Sequence, residues 1–590
     1  MNKTRRLIGL GYLPKEFPPE FTSVSLAGSY PGIIAAAQDP HTSRPEVFNL
    51  GRSGYSRRIL RITNPVHYIR QARAVGTHWA DIRRIFKKSK LSESRPRFTA
   101  LKGVGRERAT NLGPSRPLPE LRLQALASHR YVLQTDFARF FSSIYTHSIP
   151  WAIHGKPWSK ANRRTPSTGN DLDAAIRNGQ DQQTAGIPVS SDVAHVVSEI
   201  IASVIDANAF PRTPSGYRYV DDYFLCFDSE ADAVKNLERL ASAAREFEID
   251  LNYSKTSIQH VKELLDEVGL DQLRDFQFSD ARKISTKEIH KLFDVAVRLN
   301  GTQENALKYA IRVISRREVD ETDWSVLESY LLRSVTLSPN TIDYVAIALY
   351  EAAQRGASLD KSRVMRYFAG VIKESLAFDR DSELIWSLWL FKNLRFSVPR
   401  SISSLLGRIN SSPAAIIALD LQANGLVSGT LDTSRWVALL TADDLYDANW
   451  LLVYESIVKG WLTPPTDIIA ADASFDAMRR AGVHFYEEDA LTTAAPIVPP
   501  AGPASAVVPT SPPTFERPGI LAEAPGAEPV VELPVRAAED HLVPAWILNM
   551  LTRRSQALEA EFGEVDDVDV DVDDEDYEEE DDESIDYEMY

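Results

Sequence analysis

The sequence predicts an α+β fold that continues into an all-α region and ends in a disordered acidic tail. Three observations predict it. Short apolar segments alternate with helical ones between residues 131 and 280. From Ser285 to Ala481, apolar residues recur at three- and four-residue spacings almost without a break. Residues 555–590 hold 19 Asp and Glu and no Lys or Arg. With 590 residues, 44% hydrophobic and 25% charged, the chain has ordinary globular composition and room for two or three domains.

Residues 1–130 form a basic head, carrying 24 Lys and Arg against 8 Asp and Glu. The head is rich in Arg, Pro and Gly, with a helix expected around His67–Phe86 and a strand at Arg97–Leu101. The second region is 131–280. There, Tyr131-Val132-Leu133-Gln134-Thr135-Asp136 reads as a buried strand that ends in a carboxylate. Asp192–Ala209 reads as a helix with Val193, Val196, Val197, Ile200, Ile201 and Val204 as its apolar positions. Tyr217–Phe227 reads as two strands around a tight turn that carries Asp221 and Asp222.

From 285 to 481 the expected helices are Thr286–Leu299, Glu304–Arg317, Trp324–Val335, Ile342–Arg355, Arg363–Leu376, Glu383–Phe391 and Asp444–Lys459. Stacked in pairs they would give an α-solenoid resembling HEAT repeats, with a compact bundle as the alternative. Eleven prolines between Pro496 and Pro534 make 491–540 an extended linker. An amphipathic helix is expected within 541–562, with Trp546, Ile547, Leu551 and Leu558 on one face. Self-repulsion among its acids keeps 563–590 disordered.

Charge is distributed very unevenly. The net −16 is composed of a +16 head, a mildly acidic body and a −19 tail, so the acidic total does not exclude a nucleic-acid partner. Three roles are open to the tail: keeping the chain soluble, docking on the head in place of a nucleic-acid backbone, or recognition by a partner. No apolar run reaches about 18 residues and no cleavable leader precedes the head, so a cytoplasmic protein without a membrane span is expected. Cys226, the single cysteine, excludes an internal disulfide and a Cys-rich zinc site.

The sharpest chemical signal is Tyr219-Val220-Asp221-Asp222. Adjacent carboxylates at a hairpin repel unless a cation neutralises them, and magnesium, which also binds triphosphate oxygens, suits that role. Asp136, 85 residues upstream, would supply a third carboxylate from a neighbouring strand. Such a trio can hold two Mg2+ ions for phosphoryl transfer. Between them, Gln183-Thr184-Ala185-Gly186-Ile187-Pro188-Val189-Ser190-Ser191-Asp192 is a Gly/Pro loop opening a helix, where backbone can approach a ligand closely.

In order and spacing, Asp136 with its following aromatic pair, Gly186-Ile187-Pro188, Tyr219-Val220-Asp221-Asp222 and Leu251-Asn252-Tyr253-Ser254-Lys255-Thr256 resemble motifs A to D of reverse transcriptases. More narrowly, the segments 141–156 and 11–19 are similar to the bacterial abortive-infection, phage-defence (AbiK-like) reverse transcriptases. The resemblance spans about residues 8–260 and implies right-hand-like fingers and palm before the HEAT-like domain. It implies a DNA polymerase in which Asp136, Asp221 and Asp222 bind two Mg2+ ions. Phe141 would close the sugar pocket to a 2′-hydroxyl, Gly186 would let its loop approach the nascent pair, and Lys255 would donate a proton to departing pyrophosphate. Lys102, Arg106 and Arg130 are candidates for holding the triphosphate of the dNTP.

This sequence departs from the usual retroelement pattern in two places. Val189-Ser190 stands where Gln-Gly is usual, and no basic thumb-like helix follows Lys255. Both favour the phage-defence subgroup, which implies self-primed synthesis with little template use, DNA attached to a tyrosine, and a homo-oligomer. Tyr12, Tyr30, Tyr55, Tyr68 and the tail tyrosines are the candidate primers. A retroelement-type enzyme copying an associated RNA, and a catalytically inactive nucleic-acid-binding scaffold, are the alternatives.

Overall fold

The computed structural model describes residues 2–490 apart from 38–40, 53–55, 99–107, 115, 265–272, 274–275, 280–282, 302, 304 and 316. The linker, amphipathic helix and acidic tail expected beyond 490 lie outside the described residues, as do Lys102, Arg106 and Tyr55. No described helix is long and apolar enough to cross a membrane.

The head is built of helices α1 (Lys3–Leu10) and α2 (Val24–Ala36), an antiparallel hairpin β1 (Glu46–Gly51) and β2 (Arg57–Ile62), and helices α3 (Pro65–Thr77) and α4 (Trp79–Phe86). The single helix expected around His67–Phe86 is therefore two, parted at His78. Helix α3 starts where Asn64 accepts the Val66 N–H and Pro65 takes the first turn, which needs no N–H there. Strands β3 (Arg97–Phe98) and β4 (Thr110–Asn111) pair antiparallel, and α5 (Leu118–Ser128) leads into the central sheet.

That sheet has four antiparallel strands in the order β6 (Ser215–Tyr219), β7 (Asp222–Phe227), β5 (Tyr131–Asp136), β8 (Ser257–His260). Its faces follow the period of two. Tyr223, Leu225 and Phe227 of β7 enter the main core, whereas Phe224 and Cys226 join Val132 and Ala125 in a smaller cluster on the opposite face. Between β5 and β6 come α6 (Phe140–Ser143), α7 (Ser148–His154), α8 (Lys156–Ala161), α9 (Thr168–Asn178) and α10 (Asp192–Ala209), and α11 (Glu230–Arg245) precedes β8. Strand β5 and helix α10 have the predicted bounds. Helix α10 is more deeply enclosed than an amphipathic reading implies, since Glu199 and Asp206 are buried with its apolar residues.

Beyond residue 285 the chain is mostly helical. The helices Ala306–Ile314, Ile342–Gln354, Asp381–Asn393, Ser412–Ala423 and Trp450–Val458 pack each on the next as an inner row. Thr286–Leu299, Glu321–Leu337 and Lys361–Phe378 lie against that row from outside, and Arg400–Leu406 packs on Lys361–Phe378. The middle of the inner row is enclosed on all sides, because Asp381–Asn393 is covered by the outer row and by β1 of the head, whereas Ala306–Ile314 at the start keeps one polar face. Asp381–Asn393 is buried from Ser382 to Lys392.

The head and the helical region share one core, which runs from Leu7 to Tyr486. Polar groups at the seam are paired. The Trp386 indole donates to the Glu16 carbonyl at 3.0 Å, Trp389 to the Glu20 carboxylate at 2.7 Å, and Asn49 N–H to Asp381 at 2.7 Å. Arg57 forms an ion pair with Glu383. The end of the described chain returns to its start, where Thr22 N–H donates to the Phe485 carbonyl at 3.0 Å and Phe21 bridges Tyr486.

Candidate active site

Asp136 and Asp222 are directly opposed partners across the β5–β7 ladder. Both occupy even positions, so they share the sheet face that carries Val132 and Phe224. Opposed side chains on one face lie about 5 Å apart at Cβ, a spacing at which like charges destabilise a sheet. Asp221 sits beside them in the two-residue turn that joins Tyr219 to its partner Asp222. Its carbonyl accepts the Phe137 N–H at 3.3 Å, which ties the turn to the end of β5. The three acids singled out from sequence are thus brought together.

The turn is strained. Val220 has φ of 57°, left-handed backbone that is a genuine outlier for a β-branched residue, where hairpins normally place Asn or Gly. Two contacts hold it. Val220 N–H donates to Ser94 Oγ at 2.7 Å, and its carbonyl accepts from Arg218 Nη1 at 2.8 Å. Arg218 has no solvent exposure and is clamped by two acids of α10: Glu199 at 3.0 Å and Asp206 at 2.8 Å. Tyr223 and Ser89 donate further bonds to Asp206, each at 2.6 Å, and Ser203 donates to Glu199 at 2.8 Å. Sequence reading missed this network. Its one available signal was a pair of acids, seven residues apart, on a helix otherwise read as apolar.

Lys255 is delivered by the turn that follows Leu251. Asn252 N–H bonds to the Asp136 carbonyl at 2.8 Å, Lys255 N–H returns to the Asn252 carbonyl at 3.0 Å, and the Thr256 and Thr135 hydroxyls meet at 2.7 Å. The Lys255 ammonium then reaches Asp136 Oδ2 at 2.7 Å. That bond is the main reason its pKa is raised. Asp221 is pushed up to about 6, by burial first and by Asp222 and Asp136 next, with Arg58 opposing. Asp222, at the open rim of the site, is also raised, by partial desolvation first and then by Asp136, with Lys255 opposing.

Asp136 Oδ1 is buried and accepts no hydrogen bond. Among the described residues, no three His, Cys, Asp or Glu side chains are gathered as a ready-made metal cluster, and the Lys255 ammonium supplies the nearby positive charge. The donor set nevertheless fits a divalent cation in kind. It offers hard carboxylate oxygens, one of them orphaned, in a place where neighbouring acids help to raise the pKa of Asp221 and Asp222.

Phe141 and Gly186 also meet. Ile187 N–H donates to the Phe141 carbonyl at 3.0 Å and Gly186 N–H to the Ile144 carbonyl at 2.8 Å. Gly186 has φ of 80°, and a Cβ there would lie 3.0 Å from the Ser142 carbonyl oxygen, so the loop requires glycine. The Phe141 ring stands edge-on to His195 of α10, with centroids 5.4 Å apart. Burial first, and the cations of Arg108, Lys15 and Arg58 after it, together lower the His195 pKa to about 3, so the imidazole is neutral.

The cations around His195 replace one sequence candidate. Arg130 immediately precedes β5, while Asp136 ends it. At about 3.3 Å per residue that puts Arg130 roughly 20 Å from the carboxylates, too far to hold a triphosphate there. Arg58 and Lys15 are exposed and near enough to act on His195, and Arg58 also acts on Asp221. Arg108 is already engaged, with Asp192 at 2.6 Å and the Leu13 carbonyl at 2.7 Å. Arg58 also lines a cavity of about 150 Å3 with Arg52, Lys308, Asp343 and Trp386, between the β1–β2 hairpin and the helical region. Two candidate primers lie in the core. The Tyr12 hydroxyl donates to the Thr63 carbonyl and the Tyr68 hydroxyl to those of Leu7 and Gly11, and both rings are buried, so neither hydroxyl is accessible to a nucleotide in this conformation.

The sequence matches no protein-family model and no curated protein. Among solved structures, apo telomerase from Candida Tropicalis is similar at 10% identity and a TM-score of 0.29, over 71% of this chain and 76% of that one. Telomerase from the same organism in complex with the TWJ fragment of telomeric RNA is similar at 10% identity and a TM-score of 0.28, over 66% and 70%. Likenesses this low carry no functional weight. The chemistry has to be read from the chain's own side chains.

Proposed function

We propose that the protein is a nucleotidyltransferase of the reverse-transcriptase kind that adds deoxynucleotides to a growing strand. The observation that carries this reading is the opposition of Asp136 and Asp222 across β5 and β7, with Asp221 in the adjoining turn and the Phe141–Gly186 contact beside it. Asp136, Asp221 and Asp222 would hold divalent magnesium, two ions in the reading favoured here. When bound, those ions activate a 3′-hydroxyl and stabilise the triphosphate and its leaving pyrophosphate.

This chain's own groups perform the remaining work. Phe141, packed on a neutral His195, presents an apolar wall to the sugar and disfavours a 2′-hydroxyl. Arg58 and Lys15 supply positive charge for the triphosphate, in place of Arg130. Lys255 carries a proton next to the carboxylates and can give it to the departing pyrophosphate once it leaves Asp136. The two rows of helices are consistent with a HEAT-like domain, and the protein-primed, phage-defence role belongs to the same reading by sequence resemblance. Among the described tyrosines, Tyr30 is a better primer candidate than Tyr12 or Tyr68, because it is only partly buried.

The test is incubation of the purified protein with dNTPs and Mg2+ beside an Asp221→Ala, Asp222→Ala control. Incorporation by the parent and none by the control is expected, and no polymer from the parent overturns the reading. Product that resists boiling in detergent and stays on the protein supports self-priming. Free product copied from added RNA favours the retroelement alternative instead.

A further inference from the structure

From Phe137 to Asn170 the sequence contains no Asp or Glu but five basic residues: Arg139, Lys156, Lys160, Arg163 and Arg164. Lys160, Arg163 and Arg164 are exposed, and none forms an ion pair among the described residues. A run of unneutralised cations is commonly just a solvated face, but two features set this one apart.

The first is rigidity. The 162–165 turn is held by Asn170, whose side-chain amide donates to the Asn162 carbonyl at 2.8 Å and the Thr165 carbonyl at 2.7 Å. Ser159 fixes α8 to α7 through the Pro150 carbonyl at 2.9 Å. The arginines therefore project from a fixed frame.

The second is aromatic surface among the cations. Trp158 is 36% exposed, unusual for the largest apolar side chain, and it is backed by His154 at 4.5 Å between centroids. Burial lowers the His154 pKa, so the ring behind Trp158 tends to be neutral. Trp151 carries the Lys156 ammonium 4.2 Å above its ring and meets Tyr145 at 5.6 Å. Tyr145 bridges Ala185, next to Gly186, so the aromatic run begins at the candidate active site. Acidic groups near this face are few: the Glu246 carbonyl accepts from Lys156 at 3.4 Å, Asp81 reaches Thr168 at 3.3 Å and acts on His154 from behind Trp158, and Asp173 is paired with His147 at 2.8 Å.

We infer that α7, α8 and the 162–165 turn form a binding surface for single-stranded DNA, which stacks bases on Trp158 and pairs phosphates with Lys160, Arg163 and Arg164. Exposed rings interleaved with unpaired cations are how proteins hold single strands without reading sequence. A surface that starts beside the Phe141–Gly186 contact suits the product strand, and it rests on the polymerase reading above.

Binding of the full-length protein to a labelled 20-nucleotide oligo-dT, without dNTPs or Mg2+, tests the surface separately from catalysis. Replacing Lys160, Arg163 and Arg164 with Gln is expected to weaken binding at least tenfold. It should also make the slope of log affinity against log salt shallower by about 2, at about 0.7 per phosphate lost. Trp158→Ala should weaken binding several-fold and leave the slope alone. Loss of product length with the first additions intact should follow in the triple variant. Unchanged affinity and slope overturn the inference, as does binding of oligo-U alone. If the triple variant does not fold, Arg164→Gln should still lower the slope by about 0.7, and an unchanged slope there overturns it too. A surface that binds DNA in a protein that incorporates no dNTP would remove the polymerase reading and leave the surface standing.

Discussion

Arg218 grips Val220 from beneath, guanidinium to carbonyl at 2.8 Å, and so the carboxylate turn takes its shape from a charge buried in the core. A left-handed valine costs on the order of 1 to 3 kcal/mol and persists only where its surroundings over-determine it. Arg218→Met would leave Glu199 and Asp206 buried without their cation and should destabilise the protein by about 3 to 5 kcal/mol. Arg218→Lys keeps the charge but cannot reach both acids and the carbonyl. It should fold and yet lower the rate of dNTP addition by roughly tenfold or more with little change in KM. Thermal melts and steady-state kinetics on the two variants check this.

Gly186→Ala places a methyl group against the Ser142 carbonyl at a backbone angle disfavoured for alanine. A loss of about 1 to 2 kcal/mol in stability is expected. Activity should fall more than stability suggests, because Ser142 belongs to the segment that positions Phe141. Denaturant melts set beside initial rates measure both.

Phe141→Ala removes the wall proposed to sit against the sugar. Incorporation of ribonucleotides should rise relative to deoxynucleotides by about tenfold or more, within the range that one large side chain can discriminate. Parallel assays with dNTPs and rNTPs read the ratio. An unchanged ratio would remove Phe141 from that role.

Lys255 and a divalent cation compete for the same carboxylate. Lys255→Gln should therefore bind Mn2+ several-fold more tightly in a titration followed by electron spin resonance, while adding nucleotides more slowly. Because Lys255 is 65% exposed, its pairing with Asp136 contributes at most about 1 kcal/mol, and the melting temperature should barely move.

The seam between the head and the helices should weaken as pH rises. Burial raises Glu46 to about 8 and Asp381 to about 7, from ordinary values near 4. Between those limits the folded state binds more protons than the unfolded chain, so stability is greatest below about pH 4 as far as these two groups are concerned. It declines until pH 8. Glu46 alone contributes on the order of 4 kcal/mol to that decline. Urea melts at pH 5 and 8.5 should show the fall, and Glu46→Gln should flatten it.

Strand β5, the turn acids and helix α10 were legible because each is a local matter: a period of two, a pair of charges, a period near four. The carboxylate at the end of β5 follows from where an apolar run stops, and its partner from adjacent acids between two short apolar runs. Arg218 could not be read in the same way. In sequence it is one more basic residue before a tyrosine, and its partners sit 19 and 12 residues upstream on a helix whose other side chains are apolar. The β1–β2 hairpin was hidden too, because its arginines look like solvent-facing charge when Glu383 is more than 300 residues away. Arg130 misled for the opposite reason, since nearness in sequence along an extended strand is distance in space.

The pairing of Phe21 with Tyr486 sets a schedule for biosynthesis. At about 5–20 residues per second the ribosome needs roughly 20 to 90 seconds to travel from one to the other. Throughout that interval the opening helices lack the neighbours that complete their packing. A nascent chain thus contains Asp136, Asp221 and Asp222 long before it contains the segment that completes the core of the head, and the nucleotide addition proposed above should be detectable only after translation has passed Tyr486.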